Sequence, residues 1–447
     1  MINFFINKSK INKITNFVLY LLLFSNSIPL IIHAYLGTYS RLYADDFCYL
    51  VQLHSKGFFG ALKYYYTNLT GRYSDLVMAL GTISFDNNYF YGTGIFIFFW
   101  LIILAYFIHL LISAEKKHYL FSFLLASTII YVSIDLLPDA SFRRVISNLS
   151  HTWDRYPAFY EVLYWKAGRN RFISPLILGS FLVGIIFLLF KCSYNYKKIN
   201  ALTILGCFVA FSASGFGETY VGLQMILLTI VLIMLTYFKV NQKKIMLIKR
   251  IGLIWLVTLF SIIVYIKAPG TENRMGIFKQ PSDLVELIVI LVNSIKSTLF
   301  ILFKWPGNII SLFSVVFISF FVGMQIKIQE MSTKKNKLFI KYIPFAILII
   351  VIGAFFPAVY AISKGPPPRV LVFPIYIILC LLSSWSFFIG NVIDKKKIDT
   401  VNQWLNPIFA LLFFSFSVNG LRDAEKLFSL RHEFKSYAHA YDKREKL

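Results

Sequence analysis

Two adjacent carboxylates, Asp45 and Asp46, lie just beyond the first long apolar run, in the stretch RLYADDFCYL. Flanked by Tyr43, Phe47 and Tyr49 at the edge of a low-dielectric region, such a pair repels itself. That raises at least one pKa and suits a general base or a metal ligand. A solvated acidic pair at a helix end is the plainer alternative. Further along, SGFGETY places Glu218 at a glycine-broken turn between two apolar runs, where a carboxylate is costly unless paired or reached by water. KAPGTENRM puts Asn273 and Arg274 after a Pro-Gly turn, and SKGPPPRVLVFP puts Arg369 behind three prolines that stiffen the approach to another apolar run. A long segment from Pro138 to Phe172 interleaves Trp153, Tyr164 and Trp165 with Arg143, Arg155, Arg169 and Arg171. Exposed aromatic faces stack on sugar rings, and guanidinium groups grip phosphate in a forked geometry. An aromatic belt with snorkelling cations competes evenly with that reading.

The elements that must position these residues are apolar helices. Of 447 residues, 57% are apolar and only 15% charged, with mean hydropathy +0.67. That excludes a disordered chain and a soluble multidomain enzyme, whose surface needs more charge. Stretches of about 20 apolar residues, the length of a bilayer crossing, fall near 16–36, 90–113, 118–137, 172–191, 200–215, 219–238, 251–267, 308–326, 342–362, 369–390 and 401–420. The expected architecture is an all-α polytopic membrane protein of about eleven transmembrane helices. Residues 284–304 also look long enough to cross, but Glu286 and Lys296 would each cost roughly 2.5–3.5 kcal/mol at mid-bilayer, so this stretch reads as re-entrant or interfacial. The first run exceeds a signal-peptide core and reads as a retained anchor.

Net charge is +24, from 45 Lys+Arg against 21 Asp+Glu. The basic residues cluster between apolar runs, as in membrane proteins whose cytoplasmic loops are basic, and not as in a nucleic-acid binder. With Lys8, Lys10 and Lys13 inside, alternation places the N-terminus in the cytoplasm. The long connections 37–89 and 138–171 then lie outside, with a short helical outer tail at 421–447 following the transmembrane domain of residues 1–420. Phe58 to Leu69 reads as an amphipathic helix along the membrane surface, ended by Gly71–Arg72. The inner connections are short and mostly lysine; the outer ones hold the chemistry. The four cysteines show neither disulfide nor metal spacing, and the seven histidines show no ligand spacing. Asn68 and Asn148 begin outward-facing sequons.

Taken in order, YADDF, a following GR, LYWKAGRNRFISP, GFGETY, APGTENRM, GPPPRVLVFP and AYDKRE resemble the bacterial membrane family catalogued as domain of unknown function 6056, over nearly the whole chain. That family is similar in layout to the GT-C glycosyltransferases, which use polyprenyl-phosphate sugars and carry an acidic motif in the first outer loop. The resemblance implies that Asp45 and Asp46 hold the catalytic acidic position. It implies sugar transfer from a polyprenyl-phosphate donor to a cell-envelope acceptor at the outer face of the plasma membrane, with inversion. On that reading Arg274 or Arg369, helped by Arg72, holds the donor phosphate. Glu218 and Asn273 orient sugar or acceptor hydroxyls, and Trp153, Tyr164 and Trp165 line the sugar subsite. No metal site is expected, although an acidic pair could take Mg²⁺ or Mn²⁺. A flippase for lipid-linked glycans and a glycan polymerase are the rival functions; clean spans without a repeated half disfavour transport.

Overall fold

The computed structural model describes residues 8–85, 92–112, 118–137, 158–192, 195–237, 242–276, 283–303, 309–326, 333–362, 367–393 and 395–445. Among them every regular element is a helix, which satisfies its backbone donors and acceptors internally as a lipid environment requires. The first run forms α1 (Lys8–Gly37), and the following connection folds into α2 (Asp45–Asn68) and α3 (Tyr73–Phe85). Next come α4 (Gly92–Ile112), α5 (Tyr119–Asp135), the short α6 (Ala158–Leu163) and α7 (Lys166–Lys191). The middle of the chain supplies α8 (Tyr196–Ser214), α9 (Glu218–Tyr237), α10 (Gln242–Ile266), α11 (Pro269–Met275) and α12 (Leu284–Phe303). It ends with α13 (Ile309–Gln325), α14 (Thr333–Ile362), a single 3-10 turn at Pro368–Leu371, α15 (Val372–Val392), α16 (Lys395–Ser429) and α17 (Arg431–Glu445).

Among the described residues, six segments are long and apolar enough to cross a membrane: Phe17–Gly37, Gly92–Ile112, Lys166–Lys191, Glu218–Thr236, Lys244–Ile266 and Pro368–Val392. They present large apolar side chains outward, among them Phe24, Ile31, Phe98, Leu256 and Phe260. No water-soluble surface is built that way, so lipid is the solvent for these faces. The chain is an all-α membrane protein with several spanning helices. Three further apolar helices, Tyr119–Asp135, Ile309–Gln325 and Ile340–Ala354, are shorter.

Expected segment 284–304 is one unbroken helix, α12, without the turn that would fold it back on itself. It packs on α14, burying Ile290, Ser294 and Thr298 at four-residue spacing while Leu284, Val285 and Val289 stay exposed. A helix over the stretch expected at 58–69 is present as the second half of α2. Gly57, at φ 67°, divides that helix, and beyond it Ala61 and Tyr65 are buried while Phe59 is exposed. α16 runs unbroken past the boundary expected at residue 420, because Gly420 serves close packing against the Ser25 backbone and introduces no turn.

Two helix groups share one core. α1 lies along α16, α13 along α15, and α7 to α10 pack side by side. A polar network ties α5, α13 and α16. Tyr131 donates to Asp423 (2.6 Å), Ser311 donates to Asp135 (2.8 Å), and Asn419 donates to Asp423 (3.1 Å). α13 and α15 cross closely, where Gly323 meets the Phe387 backbone and Gly390 meets the Phe320 carbonyl. A methyl group at Gly323 has no space, whereas one at Gly252 meets nothing. Gly323→Ala is therefore predicted to destabilise the protein by about 1–3 kcal/mol. Gly252→Ala should be neutral or stabilise by up to about 1 kcal/mol. Thermal aggregation of the two variants in detergent checks the contrast; equal midpoints would refute the packing argument.

Candidate functional site

The two acids of the first connection separate as soon as α2 begins. Asp46 is fully buried, and both of its carboxylate oxygens are taken: Oδ1 accepts from the Ala167 backbone N–H and Oδ2 from that of Tyr43, each at 3.0 Å. The preceding residue explains the need. Ala44 has φ 48° and ψ −116°, a sparsely populated positive-φ conformation that costs a non-glycine residue roughly 1–3 kcal/mol. No side chain of the N-cap residue itself caps α2, and Asp46 holds the turn instead, tying it to the start of α7. Burial pushes the Asp46 carboxyl up to about 6, partly opposed by the two backbone N–H groups and by Lys166 and Arg169. The shift comes from burial, not from the neighbouring acid as the sequence had suggested. Asp45 is exposed and makes no hydrogen bond to a described residue.

A cluster of arginines lies beside these acids. Arg72, in the turn between α2 and α3, forks onto Glu218 at the start of α9, with Nη2 at 2.6 Å from Oε1 and Nε at 3.1 Å from Oε2. The Tyr265 hydroxyl donates to the same carboxylate at 3.0 Å. Burial works against the Arg72 charge, but Glu218 outweighs it and holds the guanidinium firmly protonated. The Gly215 carbonyl accepts from the Ser74 N–H at 3.1 Å, locking the glycine turn before α9 to the start of α3. Two turns further into the bundle, Arg171 of α7 donates through Nε to Asp75 of α3 at 2.8 Å, and Asp75 is completely buried.

Arg274 completes the cluster from α11. That short helix docks under the Arg72 turn: Thr271 accepts from the Gly71 N–H at 2.9 Å, and Gly270 fits against the backbone of Leu69 and Thr70. Asn273 donates to the Thr67 carbonyl at 3.3 Å. Arg274 itself forms no hydrogen bond or ion pair with a described side chain. Its pKa is depressed first by the adjacent Arg72 charge and then by burial, with Glu218 opposing both. At the centre lies Tyr49, buried, its ring 4.7 Å from that of Tyr65. Burial and then the Asp75 charge push the Tyr49 phenol up, within the fields of Arg171, Asp45 and Arg72 as well.

Three guanidiniums, Arg72, Arg171 and Arg274, thus share two carboxylates, Asp75 and Glu218. Arg72 Nη1, both terminal nitrogens of Arg171 and all of Arg274 keep donors without a partner among the described residues. This is the donor arrangement that binds a phosphate or other oxyanion. Asp46 is buried and Asp45 exposed, so the two carboxylates do not face one another as a shared ligand pair. Among the described residues no three His, Cys, Asp or Glu side chains gather as metal ligands.

Arg72, Glu218 and Arg274 of the expected set come together, Asp45 is near enough to act on the central Tyr49, and others are left out. Arg369 does not join them. It donates to Glu161 at 3.3 Å and lies over the Trp165 ring at 5.7 Å. Trp165 packs with Tyr49, Ala61, Tyr65 and Leu76, as a wall of the site. Tyr164 turns the other way, its hydroxyl 2.6 Å from His33 Nδ1 in a buried aromatic group with Phe159, Tyr160 and Phe434, so it lines no open subsite. Asn273 serves to anchor α11. Trp153 lies outside the described residues. Sequence reasoning missed Asp75 and Tyr265 altogether and did not single out Arg171 from its neighbours. The available signal was the R-Y-S-D spacing, which puts Asp75 one turn after Arg72 on a helix start.

Because folding raises the Asp46 pKa from the ordinary 3.8 to about 6, its stabilising contribution is complete below the unfolded value and is lost as pH rises through about 6. Wild-type protein is predicted to gain thermal stability in detergent between about pH 7 and about pH 4.5 relative to Asp46→Asn, in which this increment is absent. Parallel pH profiles for the two would contradict the burial of Asp46. Comparison with known protein families, characterised proteins and solved structures finds no match to this chain.

Proposed function

We propose that the protein transfers a sugar from a polyprenyl-phosphate donor to a cell-envelope acceptor, at the outer face of the plasma membrane. The observation that carries this reading is the arginine cluster. Its unused N–H donors lie beside apolar helices and in the neighbourhood of Asp45, a carboxylate that no described side chain engages. An anion bound there can keep an apolar tail among the helices while its phosphate meets the guanidiniums. The outward orientation rests on the basic clusters of the opposite connections.

In this mechanism Arg72, Arg171 and Arg274 bind the bridging phosphate. Asp45 takes the proton from the acceptor hydroxyl as its oxygen attacks the anomeric carbon, and the bond from that carbon to the phosphate oxygen breaks on the opposite side. The configuration inverts. Polyprenyl phosphate departs with the developing negative charge, which preoriented guanidiniums in a partly dry site stabilise more than water does. Glu218 and Asp75 hold the arginines in place, so the forks that neutralise them also aim their free N–H groups. Trp165 and Tyr49 wall the pocket.

The test is release of free polyprenyl phosphate by purified protein from a panel of polyprenyl-phosphate sugars. Asp45→Asn should lower turnover by about 10²–10⁴-fold with unchanged membrane abundance. Arg274→Ala, which removes no internal ion pair, should raise the KM for donor by about tenfold or more. Full activity in Asp45→Asn would remove the mechanism, and an unchanged donor KM in Arg274→Ala would remove the phosphate assignment.

A further inference from the structure

The turn that carries Asp45 is gripped from the far end of the chain. Arg41, buried, forks onto Asp442 with Nε–Oδ1 at 2.6 Å and Nη2–Oδ2 at 2.7 Å, across 401 positions of sequence. The third nitrogen of the same guanidinium, Nη1, donates to the Ser40 carbonyl at 2.9 Å and faces that of Thr38 at 3.3 Å. One side chain therefore knots the backbone of residues 38–41 and anchors it to α17. On the other side of Asp45, the ring of Phe47 stacks on Tyr441 at 6.2 Å with the planes 26° apart.

Helix α17 is built for this contact. Most of it is polar, and its buried positions are Phe434, Ala438 and Tyr441, spaced by four and three residues along one face. Phe434 stacks on Tyr160 at 4.8 Å and meets Tyr164 edge-on at 4.7 Å, which seats the helix against α6. The next residue on that face, Tyr441, and its neighbour Asp442 then reach the first connection. Between the two gripped residues lies Ala44, the one non-glycine residue with positive φ among those described. A strained turn relaxes unless its surroundings over-determine it. Asp46 fixes it from the α7 side; Arg41 and Phe47 are fixed from the α17 side.

We propose that Asp442 is a positioning residue for Asp45: acting through Arg41, and together with Tyr441 against Phe47, the C-terminal helix holds the strained turn in the conformation that aims the Asp45 carboxylate. This rests on the reading of Asp45 as the base, but its first readout does not. Cys48 is exposed in the first turn of α2, two residues beyond Asp46, and reports directly on that turn. With Cys192, Cys207 and Cys380 replaced by alanine in the full-length protein, a nitroxide on Cys48 should show a narrow-motion component in Asp442→Asn that is absent with Asp442 present. Asp442→Glu, which keeps the fork, should restore the immobile line shape.

With a polyprenyl-phosphate sugar as substrate, Asp442→Asn should lower kcat about tenfold or more while donor KM stays within about twofold, since the arginine cluster is untouched. An unchanged line shape in Asp442→Asn overturns the proposal, as does a mobile label with unaltered kcat. If Asp442→Asn fails to reach the membrane, Tyr441→Leu tests the same clamp with the carboxylate retained, and an unchanged label there overturns it equally. A mobile label in a protein that transfers no sugar even as wild type would leave the clamp standing and dismiss the transferase reading alone.

Discussion

Burying three guanidinium groups at the edge of an apolar helix bundle is the constraint to which the surrounding residues answer. Removing one such ion from water costs several kcal/mol even after relaxation. Two of the three are met by carboxylates that come from other helices, Glu218 for Arg72 and Asp75 for Arg171. The third, Arg274, carries its charge in the repulsive field of Arg72. With Asp45 counted the charges balance, yet the arginines still hold N–H donors that no described residue takes up. Much of the local architecture serves that balance. The glycine turn before α9 brings Glu218 to the α3 start, the docking of α11 brings Arg274 alongside, and the first turn of α3 faces the second turn of α7 to pair Asp75 with Arg171.

The same arrangement separates the roles of neighbouring acids. Asp46 and Asp45 are chemically identical and adjacent, yet a helix advances by about 100° per residue, so one enters the protein and the other leaves it. The buried one has become a backbone clamp, compensating for the positive-φ Ala44. The exposed one keeps its oxygens free for solvent or substrate. A carboxylate already holding two backbone N–H groups has little capacity left for a proton transfer at that atom, which is why the buried acid is the structural one despite its perturbed pKa.

How much of this was legible in the sequence varies residue by residue. The long apolar helices were, because a run of about 20 apolar residues has few other uses. Glu218, Arg72 and Arg274 were recognisable because charge beside an apolar run is costly and turn residues flanked each of them. Asp75 was not, since an acid in the first turn of a helix is also an ordinary feature of helix electrostatics. Arg169 and Arg171 lie two residues apart and so point to opposite sides of α7. One reaches Thr93 and the Phe96 ring, the other Asp75, and only the placement of the neighbouring helices decides which belongs to the site. The ion pair of Arg369 with Glu161 was not legible, because Glu161 is hidden in an aromatic segment that gave no reason to single it out.

The polar network of α5, α13 and α16 bears on how the chain is made. Its partners are far apart in sequence, 176 positions from Asp135 to Ser311 and 292 from Tyr131 to Asp423. During synthesis α5 emerges long before either of the helices that supply its acidic end and its tyrosine with hydrogen bonds. Asp135 must therefore stay hydrated at the membrane surface, or in the company of the insertion machinery, until α13 arrives. Tyr131 waits longer still, for α16. Biogenesis of this bundle is consequently a closing operation, completed when α16 arrives, and loss of α16 would remove the carboxylate that accepts from Tyr131.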